Sequence, residues 1–230
     1  MSNQVSFKRR LYFKYFQNLR KGLWGNFFQM ERAKTDAAIP KTTLQEKNIR
    51  NLKTLTDRDA LLKQLSKDQV IAEVGVAHGD FSELIIKLNS PKKLHLVDAW
   101  ADESRYHGGL KKLVADKFKD EIEKGIVELN VGFSTTVLLN FPDGYFDWVY
   151  LDTDHSYETT RDELVILKSK VKKGGVIAGH DYTMGNWVNS YRYGVIEAVN
   201  EFCVKENWEI IFLTSEPDHH RSFAIREIAG

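Results

Sequence analysis

From Gln69 onward the chain alternates short apolar runs with amphipathic ones. "QVIAEVGV" (residues 69–76) reads as a short apolar strand. "DFSELIIKL" (80–88) follows, with Phe81, Leu84, Ile85 and Leu88 on one face of a helix. The unit then recurs. "KLHLVDAW" is a second strand, Gly109 to Lys124 a charged surface helix, "IVELNVG" a third strand and "YFDWVYLD" a fourth. Tyr157 to Lys173 reads as a helix on the spacing of Leu164, Leu167 and Val171, and "GGVIAGHD" as a fifth strand opened by a Gly-Gly turn. Tyr193 to Glu206 is a helix, "WEIIFLT" a sixth strand and "SFAIREI" a seventh.

Strands that alternate with helices need crossover connections, hence a parallel sheet covered on both faces. Only "SEPDHHR" separates the last two strands. That is too short for a crossover helix, so the seventh strand should run antiparallel.

The first part of the chain has a different texture. "FKRRLYFKYFQNLRKGLWGNFFQM" mixes Lys and Arg with aromatic residues and holds no acid. Ala37 to Thr43 reads as a linker around Pro40, and Leu44 to Leu65 as one or two helices. Thr56 is placed to cap "DRDALLKQL", with Asp57 and Asp59 in its first turn. The expected division is a helical extension over 1–66 and one α/β domain over 67–230.

Composition narrows the function classes. The 230 residues are 42% hydrophobic, enough for a sizeable core, and the net charge of +1 favours neither nucleic acid nor an anionic membrane. A single cysteine, Cys203, excludes an internal disulfide. No apolar run is long enough to span a bilayer and no secretory leader is visible, so a soluble cytoplasmic protein is expected.

The chemistry gathers where strands end. The first strand closes on Glu73, Val74 and Gly75, then turns through Ala77, His78 and Gly79 into a helix opened by Asp80. A dinucleotide site would present Gly-x-Gly-x-x-Gly and a helix N-terminus to a pyrophosphate. Here the spacing is Glu-x-Gly-x-x-x-Gly, and a carboxylate beside the turn repels phosphate. Asp98 ends the second strand, where a carboxylate can accept both hydroxyls of a ribose. The pattern suits a phosphate-free, positively charged nucleoside.

With "EVGVAHG" followed by "LVDAW", the chain resembles the class I S-adenosylmethionine-dependent methyltransferases over roughly residues 68–228. The resemblance implies a Rossmann-like seven-stranded sheet of order 3-2-1-4-5-7-6, strand 7 antiparallel. It implies S-adenosylmethionine as cofactor, held by Glu73, Gly75, Ala77, His78 and Gly79 at the methionine part and by Asp98, Ala99 and Trp100 near the ribose. Gly132, Phe133 and Ser134, in "NVGFSTT", fall where the family packs the adenine, and Asp152 completes the set.

The segment "YFDWVYLDTDHSYETTRDELVILKSKVKKGGVIAGHDY" brings Asp152, Asp154 and His155 to the end of one strand and His180 and Asp181 to the end of its expected neighbour. Buried acids call for a cation or a titrating role. "DTDHSYE" is similar to the strand-four motif of the methyltransferase family 24-like and macrocin-type sugar O-methyltransferases. There the first aspartate and two acids after strand five hold a divalent ion, usually magnesium. Asp152 and Asp181 match that pattern, while His180 replaces a carboxylate. Asp152, His180 and Asp181 would then hold Mg²⁺ weakly, or prefer a softer ion such as Mn²⁺. Alternatively His180 or His155 is the general base of a metal-free site. Asp152 is the first candidate for ligand and base, with His155 and His180 beside it. Asp154 competes as a helix cap, and Tyr157, Tyr182 and Trp187 as pocket walls. His107, in "WADESRYHGGLKK", reads as a solvated loop residue.

The expected function is therefore O-methylation of a sugar, glycoconjugate or other small polar acceptor. N-methylation, RNA methylation and a catalytically silent cofactor-binding protein are the alternatives, and a nicotinamide dehydrogenase is the competing use of the fold type. Nucleic-acid partners are not favoured. The basic aromatic residues 1–35 are read as a cap or homo-oligomer contact, with an anionic membrane surface or RNA as competing readings.

Overall fold

In the computed structural model these alternating runs become one large sheet flanked by helices. The structure describes residues 29–100, 109–186, 191–216 and 220–229. Two compact units are present, one of Lys41–Met184 with Tyr193–Gly230, the other of the chain up to Pro40 with Gly185–Arg192. Within the smaller unit are a helix over residues 29–38 (α1) and the paired strands β7 (Gly185–Asn186) and β8 (Tyr191–Arg192). There the buried Arg192 side chain meets Asp36 at 2.8 Å. Trp187, His107 and the readings for residues 1–28 lie outside the described residues.

The larger unit contains β1 (Lys53–Leu55), α2 (Arg58–Gln64), β2 (Val70–Val74), α3 (Asp80–Asn89) and β3 (Lys93–Asp98). It continues with α4 (Leu110–Lys117), α5 (Lys119–Glu123), β4 (Val127–Val131), α6 (Ser134–Val137), β5 (Phe146–Leu151), α7 (Tyr157–Lys170) and β6 (Val171–Gly179). It ends with α8 (Val195–Glu206), β9 (Trp208–Thr214) and β10 (Phe223–Glu227). The sheet order is β1-β9-β10-β6-β5-β2-β3-β4. β10 is antiparallel to both neighbours, and the other pairings are parallel.

This corrects the expected seven-stranded order. The sheet has eight strands, because β1 adds to the edge beside β9, pairing Lys53 with Phe212 and Leu55 with Thr214. Leu44–Leu65 is accordingly not one or two helices but a 3-10 turn (Glu46–Asn48), β1 and α2. The division expected at 66/67 passes through this unit, since β1 hydrogen-bonds into the main sheet. Asp57, not Thr56, caps α2, its carboxylate accepting from the Ala60 amide at 2.8 Å. The single helix expected over 109–124 breaks at Phe118, whose buried ring packs against Gly79. α7 stops at Lys170 because Val171 already pairs with Phe146 in the sheet.

Leu61, Leu62, Ile71, Ile85, Leu94, Leu96, Trp148 and Tyr150 form the fully buried centre between sheet and helices. Their burial leaves the strand ends, rather than the strand middles, to carry polar chemistry.

Candidate functional site

The carboxyl ends of β2, β3 and β5 meet at one rim. Gly75 leaves β2 with φ +89°, its amide donating to the Val97 carbonyl at 2.8 Å. A Cβ at this position would lie 1.9 Å from the Asp152 carbonyl oxygen. Glycine is therefore required by the close passage of the β5 end as much as by any ligand. Gly79 enters α3 at φ +74°, and a Cβ there would meet the edge of the Phe118 ring at 2.8 Å.

Asp98 organises this turn. Its Oδ2 accepts from the Val76 amide at 2.8 Å and the Ala77 amide at 3.0 Å, and its Oδ1 from the Trp100 amide at 2.7 Å. These charge-assisted bonds hold Ala77 at φ +49°. Glu73 sits elsewhere than expected. It is buried beneath the turn, where the Ser82 hydroxyl of α3 donates to its carboxylate. Burial pushes its pKa up to about 8 against that hydrogen bond, and the nearby charges of Asp152 and Asp98 act in the same direction as burial.

Above the turn lies a cavity of about 700 Å³, within the usual size range of small-molecule sites. Gly75, Ala77, Asp98, Ala99, Gly132, Phe133, Ser134 and Asp152 all line it. Glu73, His78, Gly79 and Trp100 are not among its lining residues; Trp100 acts through its amide on Asp98. Among the described residues the lining includes five carboxylates, Asp98, Asp152, Asp154, Glu158 and Asp162, and no Lys, Arg or His. A cavity of that charge suits a cationic ligand and disfavours a pyrophosphate. The residues fit a nucleoside bearing a sulfonium and an ammonium. A second cavity of about 570 Å³, around Asn51, Gln64, Ser66 and Gly174, opens away from this rim and carries no comparable cluster.

Beside the first cavity stands the polar cluster. His155 Nε2 lies 3.1 Å from Asp152 Oδ1 and 2.9 Å from Asp181 Oδ2. His180 Nδ1 lies 3.6 Å from Asp152 Oδ2 and 3.5 Å from Asp181 Oδ2. His155 and Asp181 adopt positive φ, +62° and +58°, which turns both side chains to a common point. Burial alone would lower the histidines, but hydrogen bonds and charge from Asp152 and Asp181 outweigh it and raise both to about 9. The carboxylates respond reciprocally. Burial acts to raise Asp152 and Asp181, yet the bonds from His155 and His180 leave both below the ordinary range.

Sequence reading missed His220, whose Nδ1 hydrogen-bonds Asp181 Oδ1. A signal existed, for a connection leaving the carboxyl end of β9 must surface at this same rim. It also missed Glu163 on α7, fully buried, with one oxygen accepting from the Thr153 hydroxyl at 3.1 Å and the other without a partner. Two other candidates resolve into structural roles. Tyr157 is buried and donates to Glu201, so it packs α7 on α8. Asp154 accepts from the Ser156 amide and hydroxyl and from the Thr159 hydroxyl, each at 2.9 Å, while Ser156 itself caps α7.

The donors test the magnesium expectation. Two carboxylates and three imidazoles differ from the oxygen-only, largely hydrated shell that Mg²⁺ prefers. Magnesium does not fit this set.

Residues 72–182 match the methyltransferase-24 family model, described as "Methyltransferase domain". No curated protein sequence matches the chain significantly. Among solved structures, a SAM-dependent methyltransferase from Aquifex aeolicus is similar at 13% identity, with 84% of this chain and 97% of that one covered and a TM-score of 0.55. Aeropyrum pernix fibrillarin with natively bound S-adenosyl-L-methionine is similar at 13% identity, with 73% of each chain covered and a TM-score of 0.53. The pyocyanin biosynthetic protein PhzM is similar at 13% identity and a TM-score of 0.54; the match takes in 70% of this chain and spans about half, 51%, of PhzM. At these identities the likeness is one of fold. The domain match supports an enzyme of the methyltransferase class, and the solved structures support its fold.

Proposed function

Because residues 72–182 match a methyltransferase domain, we propose that this chain transfers the methyl group of S-adenosylmethionine to an oxygen of a small polar acceptor such as a sugar. One observation carries the reading. The 700 Å³ cavity, lined among the described residues by five carboxylates and no Lys, Arg or His, shares Asp152 with the Asp152–His155–Asp181 cluster. Cationic cofactor and acceptor-activating groups thus share Asp152.

The chemistry follows from charge. The acidic lining attracts the ammonium and sulfonium, and the turn stapled by Asp98 receives the methionine and ribose parts. An acceptor hydroxyl beside Asp152 donates a hydrogen bond to its carboxylate, which aims an oxygen lone pair at the methyl carbon. As the C–O bond forms and the C–S bond breaks, sulfur leaves as a neutral thioether and the acceptor oxygen becomes that of a protonated ether, a very strong acid that still carries the hydroxyl hydrogen. Even a carboxylate held below its ordinary pKa takes that proton late in the step, and the hydrogen-bonded His155 steadies the exchange. The same acidic rim disfavours a phosphate-rich acceptor, which weighs against RNA. The homo-oligomer or cap role of the N-terminal residues stays part of the proposal.

Calorimetry tests the reading. S-adenosylmethionine should bind with a dissociation constant in the micromolar range, roughly −7 to −8 kcal/mol. No heat of binding up to about 1 mM would remove the proposal. With an acceptor found by screening, Asp152→Asn should lower turnover by about 10²-fold or more while the cofactor still binds.

A further inference from the structure

The cavity of about 570 Å³ has no part in the methyl-transfer reading. Asp147 and Trp148, in its wall, lie at the start of β5, and the far end of that strand leads to Asp152. Six strand residues at about 3.3 Å each put roughly 20 Å between the two ends. The two cavities are therefore separate places, and this one too has the size of a small-molecule site.

Its charge is the reverse of the first. Among the described residues it is lined by Arg50, Lys53 and Arg226 against a single acid, Asp147. Arg226 is neutralised by Glu209 at 2.9 Å. Asp147 is neutralised by Lys172 at 2.7 Å, and its other oxygen accepts from the Val70 amide at 2.9 Å. Arg50 and Lys53 are left over, both exposed and neither in an ion pair with a described residue. The whole chain carries a net charge of only +1, so two uncompensated cations beside one cavity are a local feature and not a general excess. The walls are fixed in advance. Fully buried Asn48 donates to the Cys203 carbonyl at 3.0 Å and the Trp208 carbonyl at 2.7 Å, and Asn51 donates to Glu209 at 2.8 Å. These bonds and the pairing of Lys53 with Phe212 hold the segment that carries both cations. The Trp148 indole donates to the Ser66 carbonyl at 3.0 Å, which ties the end of α2 to β5.

We propose that this cavity is a second ligand site, for a small phosphate monoester, with the phosphate at Arg50 and Lys53 and the organic part against Leu52, Leu65 and Phe212. A monoester above its second ionisation, at a pKa of about 6, carries the two negative charges that match the two free cations. A carboxylate supplies one. The guanidinium fork and the lysine point charge both suit phosphate oxygens. The first cavity, with its five carboxylates, repels the same ligand. The inference goes beyond the methyl-transfer reading and does not rest on it.

The test is calorimetry on the full chain at about pH 8, where a monoester is doubly ionised. The probe is 1-naphthyl phosphate, compared with 1-naphthoate and inorganic phosphate. One naphthyl phosphate per chain should bind, with a dissociation constant below about 1 mM. Naphthoate should bind about tenfold more weakly for want of the second charge, and inorganic phosphate about tenfold more weakly for want of the apolar part. Arg50→Ala and Lys53→Ala should each weaken the ester about fivefold or more, while Lys53→Arg restores most of the affinity. Circular dichroism checks folding, and Arg50→Gln replaces Arg50→Ala should that variant unfold. Absence of ester binding up to about 1 mM overturns the inference. So does naphthoate or inorganic phosphate binding as tightly as the ester, since the first removes the match to a dianion and the second leaves only simple ion attraction. Ester affinity unmoved by loss of Arg50 and Lys53 overturns it as well, because the ligand then sits elsewhere. A parallel S-adenosylmethionine titration reads the methyl-transfer proposal separately, and neither result depends on the other.

Discussion

Glu73→Gln removes an ionisable group from beneath the glycine turn while nearly keeping its shape. The wild-type carboxyl is fully buried and titrates at about 8 instead of 4.5, chiefly because burial penalises its charge. Between those values the folded chain keeps a proton that the unfolded chain gives up. Stability therefore falls as pH rises through that window, and the loss is complete above about 8. Over about 3.5 pH units, at about 1.36 kcal/mol per unit, the ceiling is about 5 kcal/mol. Glutamine escapes that loss. Its amide oxygen still accepts from Ser82, but its NH₂ lacks an obvious acceptor, at a cost of about 1–3 kcal/mol. The variant should thus be less stable than wild type near pH 5 and more stable, by about 2–4 kcal/mol, near pH 8.5. Urea unfolding of both proteins at pH 5, 7 and 8.5 reads the difference directly, since all other titrating groups cancel. Two stability profiles that stay parallel across the range would refute the buried-proton argument.

Gly75→Ala should cost at least about 3 kcal/mol in thermal or urea unfolding, more than Gly79→Ala, because its Cβ strikes a backbone oxygen at 1.9 Å whereas the latter meets the edge of a ring. Asp98→Asn should weaken S-adenosylmethionine binding by about 1–3 kcal/mol in calorimetry, through loss of charge-assisted bonds to the turn. Ser156→Ala should lower stability by about 1 kcal/mol without changing cofactor affinity, as expected of a helix cap; a large drop in affinity would mean the cap also shapes the cavity.

The parts of the fold visible in the sequence are those whose physics is local. β2, β3 and β5 are buried on both faces, so each is a nearly continuous apolar run that no surface element would show. β1 gives no such run, because two of its three residues are exposed and its reason for existing is the edge of β9, far along the chain. The helix-to-sheet passage at Val171 was hidden for the same cause, a valine suiting either element until Phe146 claims it. At the site, Gly75, Asp98, Asp152 and Asp181 could be read from their place at strand ends. The burial of Glu73 could not, since it depends on Ser82 of α3 reaching the same face of the sheet. His220 depends on the reversal of β10, which brings a connection back to a rim otherwise fed by crossovers.

The three amides gathered on Asp98 have a kinetic meaning. With its backbone already set around a carboxylate, the β2–α3 turn has little entropy left to lose when a guest arrives. The ordering was done during folding, so docking at this rim should proceed as a rigid encounter, and the exchange rate of those amides with solvent should change little on saturation.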